Sequence, residues 1–293
     1  MDGSSLTQSE FTRIEVRPLA TALGAEIRGV DFARPLAPET LAEIRRAFLK
    51  HLVVVFPGQK LEIEQFKTAA RYFSELHEDR FVRGMEGHPE VMVLSKDRHE
   101  KKNFGAMWHH DVSFRPQPTL GSMLYAREVP PVGGDTLFAS MYEAYETLSE
   151  GMKAMLGSLR AVHKASVGYG EENQRNRFTE ESTIKLKDIK PEDANMVSAH
   201  PVVRTHPETG RKALFVNNYY ATHLEGMTVE ESRPLIQYLA QHAGRPEFTF
   251  RHRWRVDDLL LFDNRCVQHY ALNDYQGHRR VLYRLTLEGD TPV

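Results

Sequence analysis

A mostly β fold, an antiparallel sandwich or barrel with flanking helices, is what this sequence predicts. Three observations carry the prediction. Short apolar or alternating runs bounded by turn residues recur along the chain and crowd its last third. Amphipathic helical patterns are few and do not alternate with strands in the way a doubly wound parallel sheet requires. No internal repeat or low-complexity block offers another architecture.

Met1 to Glu10 is polar and Ser-rich, which reads as a frayed tail and leaves 11–293 as one domain. Ile14–Pro18 and Ala25–Val30 read as short strands. Pro38–Lys50 carries Leu41, Ile44 and Phe48 at helical spacing, and the unbroken apolar run Leu52–Phe56 is a buried strand. After the Pro57-Gly58 turn, Ile63, Phe66 and Ala70 share one face of a helix over Glu62–Phe73. From Glu75 to Gly105 charge and histidine dominate and only Val91–Leu94 looks like a strand, so 75–105 reads as a long loop of the kind that forms a lid. Trp108–Phe114 and Met123–Glu128 read as strands, Gly133-Gly134 as a turn, and Met141–Leu159 as helical. The polar stretch 168–195 reads as an irregular insertion with partial helix. Strands return at Val202–His206, Ala213–Val216, Phe248–Arg253, Leu259–Asp263 and Arg280–Leu287, with an amphipathic helix over Thr228–His242.

The bulk properties narrow the function classes. With 293 residues, 41% of them hydrophobic, the chain can bury one large core. Its net charge of −2, with signs mixed throughout, supplies no basic field for nucleic acid or an anionic membrane, and no run is long enough to span a bilayer. Cys266 is the sole cysteine, so no intrachain disulfide can form. A cytoplasmic protein acting on small molecules is the expectation. Cys266 itself reads as a buried inert thiol, with oxidation sensitivity as the alternative because His269 is near in sequence.

Two constellations suggest chemistry. Around Trp108-His109-His110-Asp111 the residues favour a strand, on which positions i and i+2 share a face, so His109 and Asp111 would point one way and His110 the other. A second imidazole from elsewhere would complete the two-histidine, one-carboxylate face that holds iron(II) and leaves positions open. His269, beyond the strand ending at Asp263-Asn264, is the candidate. Zinc is the competing metal, since similar ligands serve hydrolytic sites. The second constellation is the strand Arg280–Leu287. It places Val281, Tyr283, Leu285 and Leu287 on one face and Arg280, Leu282, Arg284 and Thr286 on the other. Arginines on a strand are ordinarily solvated. If this strand lines the cavity beside His269, both guanidinium groups need anionic partners, and a small acid is implied.

Taken together these residues resemble the taurine dioxygenase and 2,4-dichlorophenoxyacetate dioxygenase family of iron(II)/2-oxoglutarate enzymes. The matching stretches also include Gly133-Gly134-Asp135-Thr136-Leu137, His200 through Pro207, Ala213 through Asn217, and Asp263-Asn264-Arg265 through His269 to Arg284. The resemblance implies a double-stranded β-helix (jelly-roll) core with flanking helices, and Fe(II), 2-oxoglutarate and O2 as cofactor and co-substrates. Position by position it implies that His109, Asp111 and His269 are the iron ligands, that Thr136 and Arg280 hold the far carboxylate of 2-oxoglutarate, and that Arg284 receives the acidic group of the prime substrate. The reaction it implies couples decarboxylation of 2-oxoglutarate, to succinate and carbon dioxide, with hydroxylation of that substrate. Asp111, where a halogenase would carry a small residue, favours hydroxylation. Val112, Tyr169 and Tyr220 match substrate-wall positions. Taurine-binding histidine and tyrosine positions fall at Asp79 and Val82, and an asparagine position falls at Gly105, which argues against taurine; Glu225-Gly226-Met227-Thr228 and the helix after it resemble the phenoxyalkanoate-cleaving members, so an aryloxyalkanoate-like carboxylate, or a sulfonate or sulfate, is the expectation. Asp79 could pair with a substrate amine if it faces the pocket. A homo-oligomer, dimer or tetramer, is expected by analogy. The rival readings are taurine or alkyl-sulfonate oxidation proper, a zinc hydrolase, and a non-catalytic jelly-roll that binds a metal or small acid; the last would be expected to lose a ligand or Arg280, and neither is lost.

Overall fold

The computed structural model describes residues 10–177 and 182–293. The tail expected at 1–10 therefore lies, except for Glu10, outside the described residues, as do 178–181 of the expected insertion.

Strands β1 (Glu15–Pro18) and β2 (Ala25–Arg28) form a hairpin, followed by helix α1 (Pro38–His51). Pro38 suits the first helical turn, where no N–H bond is lost. Leu52, in the left-handed region at φ 64°, ends the helix and turns the chain into β3 (Val53–Phe56). A capping box between Glu62 and Gln65 starts α2 (Ile63–Arg71) by satisfying its first free N–H groups. Both helices match the sequence reading.

The segment expected to be one long loop is more ordered than its composition suggests. It contains β4 (Leu76–His77), β5 (Gly84–Met85) and a nine-residue strand, β6 (His88–Lys96). Its polar residues are held by tertiary partners: Lys67 reaches Glu90, and His77 Nδ1 lies 2.8 Å from Glu288. Alternation counts cannot register such pairings. Next come β7 (Gly121–Glu128) and β8 (Thr136–Ser140), with the Gly133-Gly134 turn between them at φ 81° and 71°. A Cβ on Gly133 would stand 2.7 Å from the Asp274 carbonyl oxygen, so this turn needs glycine for space as well as conformation. The helical stretch after it divides into α3 (Met141–Glu146) and α4 (Glu150–Leu156), where Ser149 caps the second helix.

Strand β9 (Arg160–Lys164) precedes short helices α5 (Ser166–Tyr169), α6 (Glu171–Arg177) and α7 (Pro191–Ala194). After them come β10 (Val197–Pro201), β11 (Val203–Thr205), β12 (Lys212–Leu214) and β13 (Ala221–Leu224). Helix α8 (Val229–Ala243) opens on a Thr228–Glu231 capping box. The last strands are β14 (Thr249–His252), β15 (Leu259–Asp263), β16 (Val267–Ala271) and β17 (Arg280–Leu287).

The large sheet runs β1-β2-β3-β15-β7-β17-β6-β5, with β4 also on β17, and all its pairings are antiparallel except β2–β3. Its central strands are buried on both faces. Val54, Met123, Tyr125, Leu259, Leu261, Leu285 and Leu287 pack outward against Ile44, Phe48 and Phe66 of the first two helices. One residue along each strand, Val53, Val55, Leu124, Leu260, Phe262 and Leu282 face a second core, shared with Phe138, Phe250 and Val267 of the small sheet β14-β8-β16. The two sheets make the expected jelly-roll. Fully burying one such side chain, Phe48 or Phe262, contributes about 1.5–3 kcal/mol, which sets the register of the central strands.

Candidate active site

The segment Trp108–Phe114 is a turn rather than the expected strand. Only His109 keeps an extended pairing, an isolated antiparallel bridge to His269 in which each backbone N–H donates to the other's carbonyl at 3.2 and 3.1 Å. His269 follows the end of β15, as expected, and lies on the next strand, β16, opposite Phe138 of β8. The chain then turns because Asn264 takes the Asp111 backbone out of any ladder. Asn264 Oδ1 accepts the Asp111 N–H at 2.7 Å, and its Nδ2 donates to the Asp111 carbonyl at 3.1 Å. Val112 follows at φ 43°, a left-handed conformation costly for a β-branched residue and sustained here by the surrounding bonds. The turn, rather than a shared strand face, brings Asp111 to His109.

The ligating atoms of His109, Asp111 and His269 lie within 4.8 Å of one another, and all three residues are buried. Asp111 Oδ1 is 3.6 Å from His109 Nε2 and 3.8 Å from His269 Nε2. Its other oxygen is engaged separately: Oδ2 pairs with Arg284 at 2.7 Å and accepts the Ser122 hydroxyl at 3.1 Å. The carboxylate is thus oriented from behind, with one oxygen left for the imidazoles' side. Burial opposes its charge, but the Arg284 guanidinium overrides burial and holds Asp111 well below the usual carboxylate range. Burial lowers His269 to about 3, so its ring is neutral at neutral pH. His109 Nδ1 donates to the Met107 carbonyl at 2.8 Å, which leaves the Nε2 lone pair free on the Asp111 side.

Two lobes meet at this cluster. The wider one spans about 580 Å³, solvent at its mouth included, and is lined by His109, Asp111, His269, Thr136, Arg280 and Arg284 among others. Arg280, Leu282 and Arg284 leave β17 on the cavity side, as the alternation predicted, and both arginines are buried. Arg280 donates to Thr136 Oγ1 at 3.4 Å, and that oxygen also accepts the Trp254 indole N–H at 3.0 Å. The second lobe, about 410 Å³, is lined by Asp79, Val112, Tyr169 and Tyr220, and shares His109, Asp111 and Arg284 with the first. Tyr169 stacks on Phe81 at 4.0 Å. Asp79 is buried, and its Oδ1 accepts the N–H groups of Phe81 and Val82 at 2.8 and 2.7 Å.

His110 points away from the cluster, fully buried against Phe215 at 4.5 Å. It belongs to a layer behind the turn with His163, whose Nδ1 is 2.9 Å from Ser113 Oγ, and His200, whose Nε2 donates to the Arg115 carbonyl at 2.9 Å. Burial lowers His163 to about 3 and His200 to about 4, so both are neutral in the fold, whereas the unfolded chain protonates them below about 6.5. Stability contributed by the neutral rings is complete above pH ~6.5 and is lost as pH falls toward ~4. Acidification from pH 7 to 5 should cost roughly 4 kcal/mol from these two rings, at about 1.4 kcal/mol per pH unit each below the unfolded value. Denaturant melts at the two pH values measure this, and equal stabilities would show that the rings carry protons in the fold.

A second grouping, His206, Asp263 and Cys266, also has ligating atoms close together, but these are spent. Asp263 is gripped by Arg265 at 2.8 and 2.6 Å, and by His206 Nε2 at 3.1 Å, while His206 Nδ1 accepts the N–H groups of Glu208 and Thr209. Cys266 is buried and its thiol is pushed well up by burial, so it is the inert thiol expected from the sequence.

Sequence reasoning missed Ser122, Trp254 and the clamping role of Asn264. The Asp263-Asn264-Arg265 stretch was visible, but a side chain that bonds the backbone of residue 111 carries no spacing signal.

Comparison with known proteins gives the family. The sequence model of the "taurine catabolism dioxygenase TauD, TfdA family" matches residues 15–286. An alkylsulfatase of Acinetobacter baylyi is 33% identical over 98% of this chain and 89% of its own length. An alpha-ketoglutarate-dependent 2,4-dichlorophenoxyacetate dioxygenase of Cupriavidus pinatubonensis is 34% identical over 96% of this chain and 99% of its own. The crystal structure of a putative alpha-ketoglutarate-dependent taurine dioxygenase from Burkholderia xenovorans superposes with a TM-score of 0.81 at 36% identity, covering 96% of this chain and 94% of that one. The chain therefore belongs to the TauD, TfdA family of dioxygenases and is a 2-oxoglutarate-dependent oxidoreductase.

Proposed function

We propose that this protein uses iron(II), held by His109, Asp111 and His269, to hydroxylate a small anionic organic substrate at the expense of 2-oxoglutarate and O2. One observation carries the reading: three side chains able to hold a metal converge where two lobes meet, with Arg280 lining one lobe and Arg284 lining both. The donor set fits. Two imidazole nitrogens and one carboxylate oxygen suit iron(II), and all three residues line a cavity. When bound there, the metal supplies the activation of dioxygen.

The chain's own residues do the rest. Arg280 and the Thr136 hydroxyl, itself oriented by Trp254, neutralise and fix the far carboxylate of 2-oxoglutarate. Arg284 holds Asp111 in its ligating pose and presents its remaining N–H groups to an acid in the second lobe. Val112, Tyr169 and Tyr220 wall that lobe and keep water from the reacting carbon. Asp79 bears on the substrate through the same lobe. The relatives named for alkyl sulfate and aryloxyacetate substrates favour a carboxylate such as an aryloxyalkanoate, or a sulfate or sulfonate, over taurine.

The test is an anaerobic visible-absorption titration of metal-free protein with iron(II) and 2-oxoglutarate, followed by a panel of sulfonates, sulfates and aryloxy carboxylates. A charge-transfer band is expected only when both are present, sharpened by one panel member. No band from metal-loaded protein would reject the reading.

A further inference from the structure

The wider lobe contains a third cation that the two arginine roles leave unexplained. Lys96 ends β6 directly across the ladder from Arg280, so the two side chains leave the same face of the sheet. Both line the lobe and both are buried, 2% and 6% exposed. Like charges opposite one another destabilise a sheet, and burial removes the water that would screen them.

Their contacts within the protein are neutral. The Lys96 ammonium sits 4.3 Å from the centre of the Tyr275 ring and donates to Gln276 Oε1 at 3.3 Å. The Arg280 guanidinium lies between the rings of Trp254 and Tyr275, at 5.8 and 6.0 Å, and its Nε has no hydrogen-bond partner among the described residues. The carboxylates nearby form no ion pair with either cation among the described residues, although Asp135 keeps one buried oxygen without a partner and both it and Asp274 attract Arg280 at longer range. Glu100 accepts from the Asp97 N–H and from the N–H and hydroxyl of Thr183, while Asp135 and Asp274 pair with Arg251. Burial pushes the Lys96 ammonium down from its ordinary value, with Glu100 pulling the other way. Two buried cations side by side, in a lobe that the metal candidates also line, describe a receptor for an anion that enters from outside.

We infer that Lys96 binds co-substrate: with Arg280 and Thr136 it grips the distal carboxylate of 2-oxoglutarate, making this lobe selective for dicarboxylic 2-oxo acids. The inference rests on the function proposed above. A carboxylate has about four lone-pair sites. The Arg280 fork can take two, and the Thr136 hydroxyl and the Lys96 ammonium can take the others. A lysine serving only to pack on Tyr275 would not need to face the cavity.

The experiment is calorimetric titration of Mn(II)-loaded protein with 2-oxoglutarate and with 2-oxopentanoate, which has the same chain without the distal carboxylate. The wild type should prefer 2-oxoglutarate strongly. In Lys96→Met, which keeps the apolar stem on Tyr275, that preference should shrink by about 10- to 100-fold, the range for a hydrogen bond to a charged group. Lys96→Gln provides the same reading should the first variant fold poorly. A preference retained in full, or an equal loss of affinity for both ligands, would mean the lysine is structural and would overturn the inference. A wild type with no preference would instead defeat the co-substrate reading and this inference with it.

Discussion

His269→Ala is expected to abolish iron-dependent turnover and to weaken metal binding by more than the ~10- to 100-fold that loss of an outer hydrogen-bond partner of a metal ligand costs. Three facts make the effect local. His269 Nε2 is one of three converging donor atoms; its Nδ1 has no partner among the described residues; and its backbone bridge to His109 does not depend on the side chain. What the variant loses structurally is ring packing against Phe262 and Phe138, at 4.6 and 6.3 Å. Turnover with 2-oxoglutarate, metal affinity by calorimetry, and a denaturant melt separate the effects. Unchanged turnover would remove His269 from the site.

The second large effect is expected at Arg284, and its character differs from what a substrate-binding role alone predicts. Arg284 donates through Nε to Ser122 Oγ at 3.1 Å and pairs with Asp111 Oδ2 at 2.7 Å, all three residues being buried. Removing one partner of a buried ion pair leaves an uncompensated charge, at a cost of about 3–5 kcal/mol. Arg284→Ala should therefore destabilise the metal-free protein by about that amount, and Asp111 should then titrate closer to neutrality. A divalent cation bound at Asp111 should restore more stability to the variant than to the wild type, because it replaces the missing positive charge. Denaturant melts with and without Mn(II) measure both terms. A metal-free variant as stable as the wild type would show that the pair contributes nothing to the fold.

The legible part of the site was the part carried by local pattern. Strand β17 announced its two arginines by strict alternation, because a period of two decides which face each side chain takes once one face is core. The three candidate metal ligands could be grouped only with a family resemblance added, since a His-x-Asp triplet is short and recurs by chance. The reason offered for their convergence was mistaken: His109 and Asp111 meet across a turn clamped by Asn264, a residue 153 positions away. Strands β8 and β16 escaped notice because their polar positions are satisfied by distant groups, as Gln268 is by the Val216 carbonyl at 2.8 Å. A periodicity count scores such residues as exposed.

By itself the sequence determined the mostly β class, the first two helices and the long helix after Thr228, the buried strand after Leu52 and the charged face of β17. All of these follow from interactions within a few residues or from a strand's own alternation. Tertiary structure alone decided that Asp111 offers one oxygen to the imidazoles and the other to Arg284, that Trp254 orients Thr136, and that Lys96 stands across from Arg280. Those outcomes depend on which strands become neighbours, and neighbours in a jelly-roll are set by the joint burial of two cores rather than by any one segment.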